Sequence, residues 1–337
     1  MGNLRPDLAS LNLQVTPIEM TQERMVLGIS LLLFVIFSFT LSGFLTFGNL
    51  FSLLQGVTIL GILGIGMAIV VISRGIDLSM VAIMVFSVGW TFSLVDGGMS
   101  LGLAILLGLG FALFIGILNG FLIAYAEIPS IFATLSVAII VAGFGRFALV
   151  SNDNVYLPIS VDWIIDVGTS RIVEIPMPVI VFGVLACLAL VVLRYTKFGR
   201  FVYALGDNPL AARISGIPTR PVTVMIYTIS AFIAFAAGLV MAATVSTVNT
   251  KLANTTMIYD VILVVVIGGV GLTGGKGGIR NVIVGTILIG LLLNGMTIMN
   301  LSVSIQNIVK SMVLLTAIVL DSIVNPRDEQ TSQQGDI

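Results

Sequence analysis

Between Met25 and Ser73 the chain carries no charged residue, and this one run constrains the fold more than any other feature. It is long enough for two membrane-spanning helices of about 20 residues each, with a break at Phe47-Gly48-Asn49. Further charge-free runs follow at Leu78–Val95, Gly97–Ala126, Ile128–Gly145, Ile175–Leu193, Pro221–Thr250, Val261–Gly275 and Asn281–Val309. A last apolar segment, Ser304–Leu320, holds the single lysine Lys310. Hydrophobic residues make up 58% of the chain and charged residues 9%, against roughly 25% charged in soluble domains. The expected fold class is an all-α polytopic membrane protein of about ten transmembrane helices.

Loop charge tests that count. With the N-terminus inside, Arg5, Arg24, Arg74, Arg194, Lys197, Arg200, Arg213, Arg220, Lys276, Arg280 and Arg327 all fall on the cytoplasmic side. Arg146, Arg171 and Lys251 fall outside, and Lys310 lies within a span. This asymmetry obeys the positive-inside rule, and one helix more or fewer would spoil it for half the chain. Both termini are therefore expected in the cytoplasm: residues 1–24 as an N-terminal tail, 25–325 as the transmembrane domain and 326–337 as a C-terminal tail. The apolar run after residue 24 is too long for the core of a cleavable signal peptide.

Several chemistries are excluded by composition. Histidine is absent and Cys187 is the one cysteine, so His-based metal sites, His-dependent triads and disulfides have no residues to build them. A net charge of -1 offers no basic field for nucleic acid. Gly269-Val270-Gly271-Leu272-Thr273-Gly274 matches a dinucleotide fingerprint, but no acid lies about 20 residues on and the chain continues into another apolar run. Gly275-Lys276 invites a phosphate-loop reading that fails, because Val270 stands at its first glycine and Gly277 at its Ser or Thr. These glycines read instead as positions where helices pack closely and the backbone turns.

An internal repeat organises the rest. A shift of 175 residues superimposes predicted helices 2–5 (about 53–150) on predicted helices 7–10 (about 221–325). It aligns Gly102, Gly110 and Leu118-Asn119-Gly120 with Gly277, Gly285 and Leu293-Asn294-Gly295. With five helices between equivalent points the copies would be inverted in the membrane, an arrangement of alternating-access transporters. The repeat also pairs the two short runs: Leu78–Val95, entered through Ser73-Arg74-Gly75-Ile76-Asp77-Leu78-Ser79, and Val261–Gly275, left through a turn of glycines from Gly268 to Gly278. Short, Gly-interrupted segments at corresponding places point to a permeation site. Gly75, Ile76, Asp77, Leu78 and Ser79, with Asn119 and Asn294, are the candidate translocation-pathway residues.

Individual polar residues have two readings each. An acid at the centre of a span costs about 2.5–3.5 kcal/mol on insertion, so Asp77 either serves the pathway or lies at the boundary, capping a helix or pairing with Arg74. Lys310 either snorkels to the outer surface or lines the pathway. Asp260 either caps a helix N-terminus or contacts solute, and Glu127 reads as solvated. The external loop, 151–176, suits docking of a soluble partner, and its Trp163 among Val161, Ile164 and Ile165 suits an interfacial anchor.

Between the apolar halves lies one long polar, basic stretch, 194–220. Inside it Asn208 suits a helix N-cap, Pro209 the first helical position and Gly216 the left-handed residue that ends a helix. A helix that short is unstable alone. Leu210 and Ile214, four apart on one face, make it a knob for a groove on a partner; the alternative is an ordinary loop held by its flanking helices.

In order along the chain, these motifs resemble the permease subunits of ATP-binding-cassette (ABC) importers for simple sugars, the ribose, xylose, arabinose and galactose type. Ser73 to Ser79 resembles that family's Gly-Ile-Asp-Leu-Ser signature. Ile128-Pro-Ser-Ile-Phe-Ala-Thr-Leu135 is similar to its Pro-Ala-Phe-Ile-Ala-Thr-Leu turn, Phe198 to Ile217 to its cytoplasmic coupling segment, and Gly268 to Gly278 completes the set. Arg74 and Met80-Val81 depart from the Gly and Val-Gly expected beside the signature. The resemblance implies a bacterial cytoplasmic (inner) membrane protein that works with a second permease subunit, as homodimer or heterodimer. It also implies a cytoplasmic ABC ATPase and a periplasmic or extracellular sugar-binding protein. ATP and Mg would sit on the ATPase, so this chain would bind no cofactor and catalyse nothing itself. Gly199, Arg200, Asp207, Asn208, Pro209, Leu210, Ala211, Ala212, Arg213, Ile214, Ser215 and Gly216 would form the coupling element seated in the ATPase. The alternatives are an ABC permease for nucleosides or branched-chain amino acids, and an ion-coupled secondary transporter.

Overall fold

A computed structural model describes residues 22–324, with side chains to residue 319; the tails beyond, with Arg5 and Arg327, lie outside the described residues. The chain enters α1 (Gln22–Thr40) and turns into α2 (Phe47–Ile72), whose first turn is capped by Thr46 accepting from Asn49 N. The helix therefore begins at the predicted break. The first half continues through α3 (Met80–Asp96), α4 (Leu101–Ala124) and α5 (Ser130–Phe144), which runs into a π turn, Gly145–Leu149. After a segment of short elements come α7 (Met177–Tyr195), α8 (Lys197–Asp207), α9 (Pro209–Ile214) and α10 (Thr219–Val245). The chain ends with α11 (Met257–Ile267), α12 (Ile279–Ile298) and α13 (Val303–Val324).

Among the described residues, seven helices are long and apolar enough to cross a membrane: α1, α2, α4, α5 with its π turn, α7, α10 and α12. Three shorter apolar helices, α3, α11 and the Val303–Val319 part of α13, complete the bundle. The protein is thus a mostly helical, polytopic membrane protein. It is not wholly α. The segment between α5 and α7 contains β1 (Asn154–Tyr156), α6 (Asp162–Thr169) and a two-stranded ribbon of β2 (Arg171–Ile172) with β3 (Ile175–Pro176). β1 pairs antiparallel with β4 (Thr247–Asn249), Val155 opposite Val248. The β1–β4 ribbon satisfies backbone groups where the chain leaves α10 and cannot continue helically past Ser246, which is left-handed at φ 60°.

The core lies along α2, α3, α10 and α11, where Ile62, Leu63, Ile65, Met67, Met84 and Val264 are fully buried. α2 packs on α10, α11 and α12, while α10 packs on α3 and α4 as well as on α2. The first helix of each half is therefore inserted into the other half. Small residues permit this: a Cβ at Gly120 of α4 would meet Val224 backbone, and one at Gly116 would meet Ala231 and the Tyr227 carbonyl. The bundle has two distinct ends. One collects the C-termini of α2 and α7, the N-termini of α10 and α12, and α8 and α9; the other carries β1, β4 and α6.

Candidate functional site

Residues 73–79 break the chain between α2 and α3, and they sit inside the protein rather than on it. Gly75, Asp77 and Ser79 are buried. The unwound backbone takes its partners from α5: Ile76 N donates to Ser130 Oγ (3.3 Å), Leu78 N donates to Thr134 Oγ1 (3.1 Å), and Thr134 Oγ1 donates to Ile76 O (3.1 Å). Two stretches that are far apart in sequence thereby close one turn. Gly75 is needed for space rather than for backbone freedom, because a Cβ there would run into the Tyr227 hydroxyl.

Asp77 is fully enclosed. Its Oδ1 accepts from Ser79 N (3.0 Å) and Ser79 Oγ (2.6 Å), and its Oδ2 accepts from Ser230 Oγ of α10 (2.7 Å). Asn119 of α4 donates through Nδ2 to Ser79 Oγ (2.8 Å). Among the described residues, Asn119 Oδ1 and the Tyr227 hydroxyl are buried without a hydrogen-bond partner. Three neutral donors hold the carboxylate, so of the alternatives for Asp77 the pairing with Arg74 does not form. Ser230 and Tyr227 were not anticipated from sequence, and Ser130 and Thr134, though within the 128–135 motif, were given no part in this site. The available signal was Ser230 as a polar residue in an apolar span, and Ser130 and Thr134 one helical turn apart.

Arg74 points the other way. Its Nε donates to Gly206 O (2.6 Å) and its Nη2 to Asp207 O (2.7 Å), the last carbonyls of α8. On the same turn Gly275 N donates to Ile72 O (2.8 Å), and Tyr203 of α8 donates to Gly277 O (2.8 Å). Gly269, Gly274, Gly275 and Gly277 all have positive φ, from 71° to 98°, so this stretch needs glycine for its path. All four stretches singled out in the sequence therefore meet around the end of α2.

The polar stretch 194–220 holds a helix pair, α8 and α9. Asn208 Oδ1 accepts from Ala211 N (2.9 Å), Pro209 opens α9 and Gly216 is left-handed at φ 82°, as expected from the sequence. Leu210 and Ile214 are 50% and 79% exposed; Arg200, Asp207, Ala211, Arg213 and Ser215 are also exposed, and Ala212 is buried. α8, which the sequence did not suggest, is N-capped by Thr196 accepting from Gly199 N (3.2 Å) and buries Gly199, Val202, Leu205 and Gly206. Asn294, the repeat partner of Asn119, lies elsewhere and exchanges amide hydrogen bonds with Asn49 (2.9 and 3.0 Å).

A cavity of about 1200 Å³ opens between α5 and α13. Leu135, Ala138 and Ala142 line one side, Asn307 and Lys310 the other, and Thr250 to Asp260 the floor; of residues 73–79 only Leu78 reaches it. Lys310 Nζ pairs with Asp260 Oδ2 (2.7 Å), the side chains 12% and 15% exposed. Asp260 is thus neither a free helix cap nor a lone acid, and Lys310 does not snorkel away. At the rim Asp153 binds Lys251 (2.8 Å) and Arg146, and these two partners hold its carboxyl below the usual carboxylate range. Glu127, expected to be solvated only, pairs with Arg220 (3.0 Å) at the opposite end.

Comparison with known proteins fits this geometry. The family model described as branched-chain amino acid transport system / permease component matches residues 49–318. The chain is 31% identical to the ribose import permease protein of Escherichia coli (strain K12), over 87% of this chain and 92% of that one. It is 33% identical to the ribose import permease protein of Bacillus subtilis (strain 168), over 86% and 89%. It is also 31% identical to the galactofuranose transporter permease protein of E. coli (strain K12), over 82% and 80%. No solved structure matches.

Proposed function

The chain belongs to the family described as branched-chain amino acid transport system / permease component, and from that premise we propose that it is the membrane-spanning subunit of an ATP-driven importer for a monosaccharide or related polyol. The observation that carries this reading is the cavity between α5 and α13. Those two helices occupy the same place in the two halves under the shift of 175 residues, as do α3 and α11 behind them. A pathway between inverted repeats is how alternating access is built. The family description names another cargo, but relatives named for ribose and galactofuranose align over nearly the whole chain, which favours sugar.

The end bearing α8, α9 and the basic residues Arg194, Arg200, Arg213 and Arg280 faces the cytoplasm of a bacterial inner membrane in this reading, as the positive-inside rule requires. Ten helices cross or enter the bilayer and both termini are cytoplasmic. A partner ATPase hydrolyses ATP and moves α9; a second permease subunit covers the open side of the cavity; an external binding protein delivers solute to the end bearing β1 and β4. Residues 73–79 with Asn119 act as a buried lock that fixes the wall of the pathway, with the half-buried Leu78 as the edge that reaches the cavity, while Asn294 ties α12 to α2. The test is uptake of labelled pentoses and hexoses by vesicles containing this chain with its ATPase and binding protein. Uptake should require both partners and ATP. Uptake by this chain alone on an ion gradient would overturn the reading.

A further inference from the structure

We propose that Arg74 is the positioning residue that carries movement of α9 into both halves of the bundle, an inference that rests on the coupling role given to α9 above. Arg74 is left-handed, at φ 67°, a conformation that glycine adopts freely and side chains rarely do. Its guanidinium instead uses the position to hold the end of α8, with donors on Gly206 O (2.6 Å) and Asp207 O (2.7 Å). Helix-terminal carbonyls lack intrahelical partners and carry partial negative charge, so a forked cation is suited to them. The next residue, Asn208, caps α9. The grip is thus applied directly beside the exposed knob.

The same turn is fastened to the second half of the chain. Gly275 N donates to Ile72 O (2.8 Å) and Tyr203 to Gly277 O (2.8 Å). A Cβ at Gly274 would meet the Arg74 side chain, and one at Gly206 would meet the Ile72 carbonyl. The junction therefore has no room to absorb a displacement of α8 locally, and packed interfaces of this kind shift as units rather than deform. Pushing on α9 moves the end of α2 and the glycine turn before α12 together, because Gly275 N fastens that turn to Ile72 O and Arg74 is the side chain that ties the end of α8 to them.

The test uses the complete transporter in vesicles and reads ATP consumed per solute imported. Arg74→Gly relieves the backbone conformation and removes the grip. Its ATP hydrolysis should stay within about twofold of wild type while ATP per solute rises roughly fivefold or more, the scale of a typical coupling between sites. Arg74→Lys, which keeps a cation, should fall between. An unchanged ratio in Arg74→Gly overturns the inference. Should that variant not be recovered from membranes, Tyr203→Phe decides: a smaller rise supports the junction and an unchanged ratio overturns it. Leu210→Asp with Ile214→Asp runs alongside. If that pair leaves the ratio unchanged, the coupling reading of α9 fails and the inference falls with it; if that pair raises the ratio and Arg74→Gly does not, the coupling reading stands and only the Arg74 grip is overturned.

Discussion

Asp260 and Lys310 show how two residues that are each costly in an apolar bundle become tolerable together. A lone ammonium or carboxylate with 12–15% of its surface exposed loses most of its hydration, and the 2.7 Å contact between them restores part of it. Lys310→Met should cost about 2 kcal/mol of stability, below the roughly 3–5 of a fully enclosed pair, because the pair borders the cavity. Adding Asp260→Asn should recover most of that loss. Thermal unfolding of the purified single and double variants checks this, and equal midpoints would show that the two residues do not act as a unit. The sequence exposed both residues as anomalies but not their pairing. Fifty positions separate them, and only the packing of α11 on α13 brings them together. Asp77 was legible to the same degree: its burial cost was foreseeable, whereas its donors come from Ser79 and the distant Ser230.

At the scale of elements, α9 was legible and α8 was not, for a physical reason. The signals for α9 are local: Asn208, Pro209 and Gly216 are its cap, first turn and stop. α8 contains Gly199 and Gly206, each of which weakens helix propensity by about 1 kcal/mol relative to alanine. Their use is tertiary, since a Cβ at Gly199 would strike the Leu193 backbone and one at Gly206 that of Ile72. The two helices divide the work accordingly: α8 is fixed to the bundle and α9 is presented outward. Leu210→Asp with Ile214→Asp should therefore leave thermal stability of the isolated chain within about 0.5 kcal/mol, as expected for exposed positions. The same variant should lose co-purification with the ATPase subunit. Retained co-purification at the wild-type level would show that the knob is not the contact.

For the whole molecule, the repeat was legible in its spacing and misleading in its glycines. Gly102 and Gly110 face open space, whereas Gly277 is left-handed and Gly285 packs on the Val264 carbonyl, so the matching letters do different work. What persists is the placement of elements. α2, α3, α4 and α5 shifted by 175 residues fall on α10, α11, α12 and α13 to within a few residues, and the exchange of α2 and α10 between the halves follows the same correspondence. Asn49 contacts Asn294; under the shift they correspond to Val224 and Asn119, and Val224 lies against Gly120, the neighbour of Asn119. The cavity itself was not legible, because its lining is spread over α5, the segment after β4, α11 and α13. Its position between equivalent helices makes a prediction for the assembled transporter. In a Cys187→Ala background, which removes the exposed native thiol, cysteines at Ala142 of α5 and Asn307 of α13 both border the cavity. A membrane-impermeant thiol reagent added outside should label Ala142→Cys and Asn307→Cys at rates that change together when the ATPase is trapped with nucleotide, since one rocking motion opens or closes both walls. Labelling of either site that ignores nucleotide while transport remains intact would place the moving pathway elsewhere.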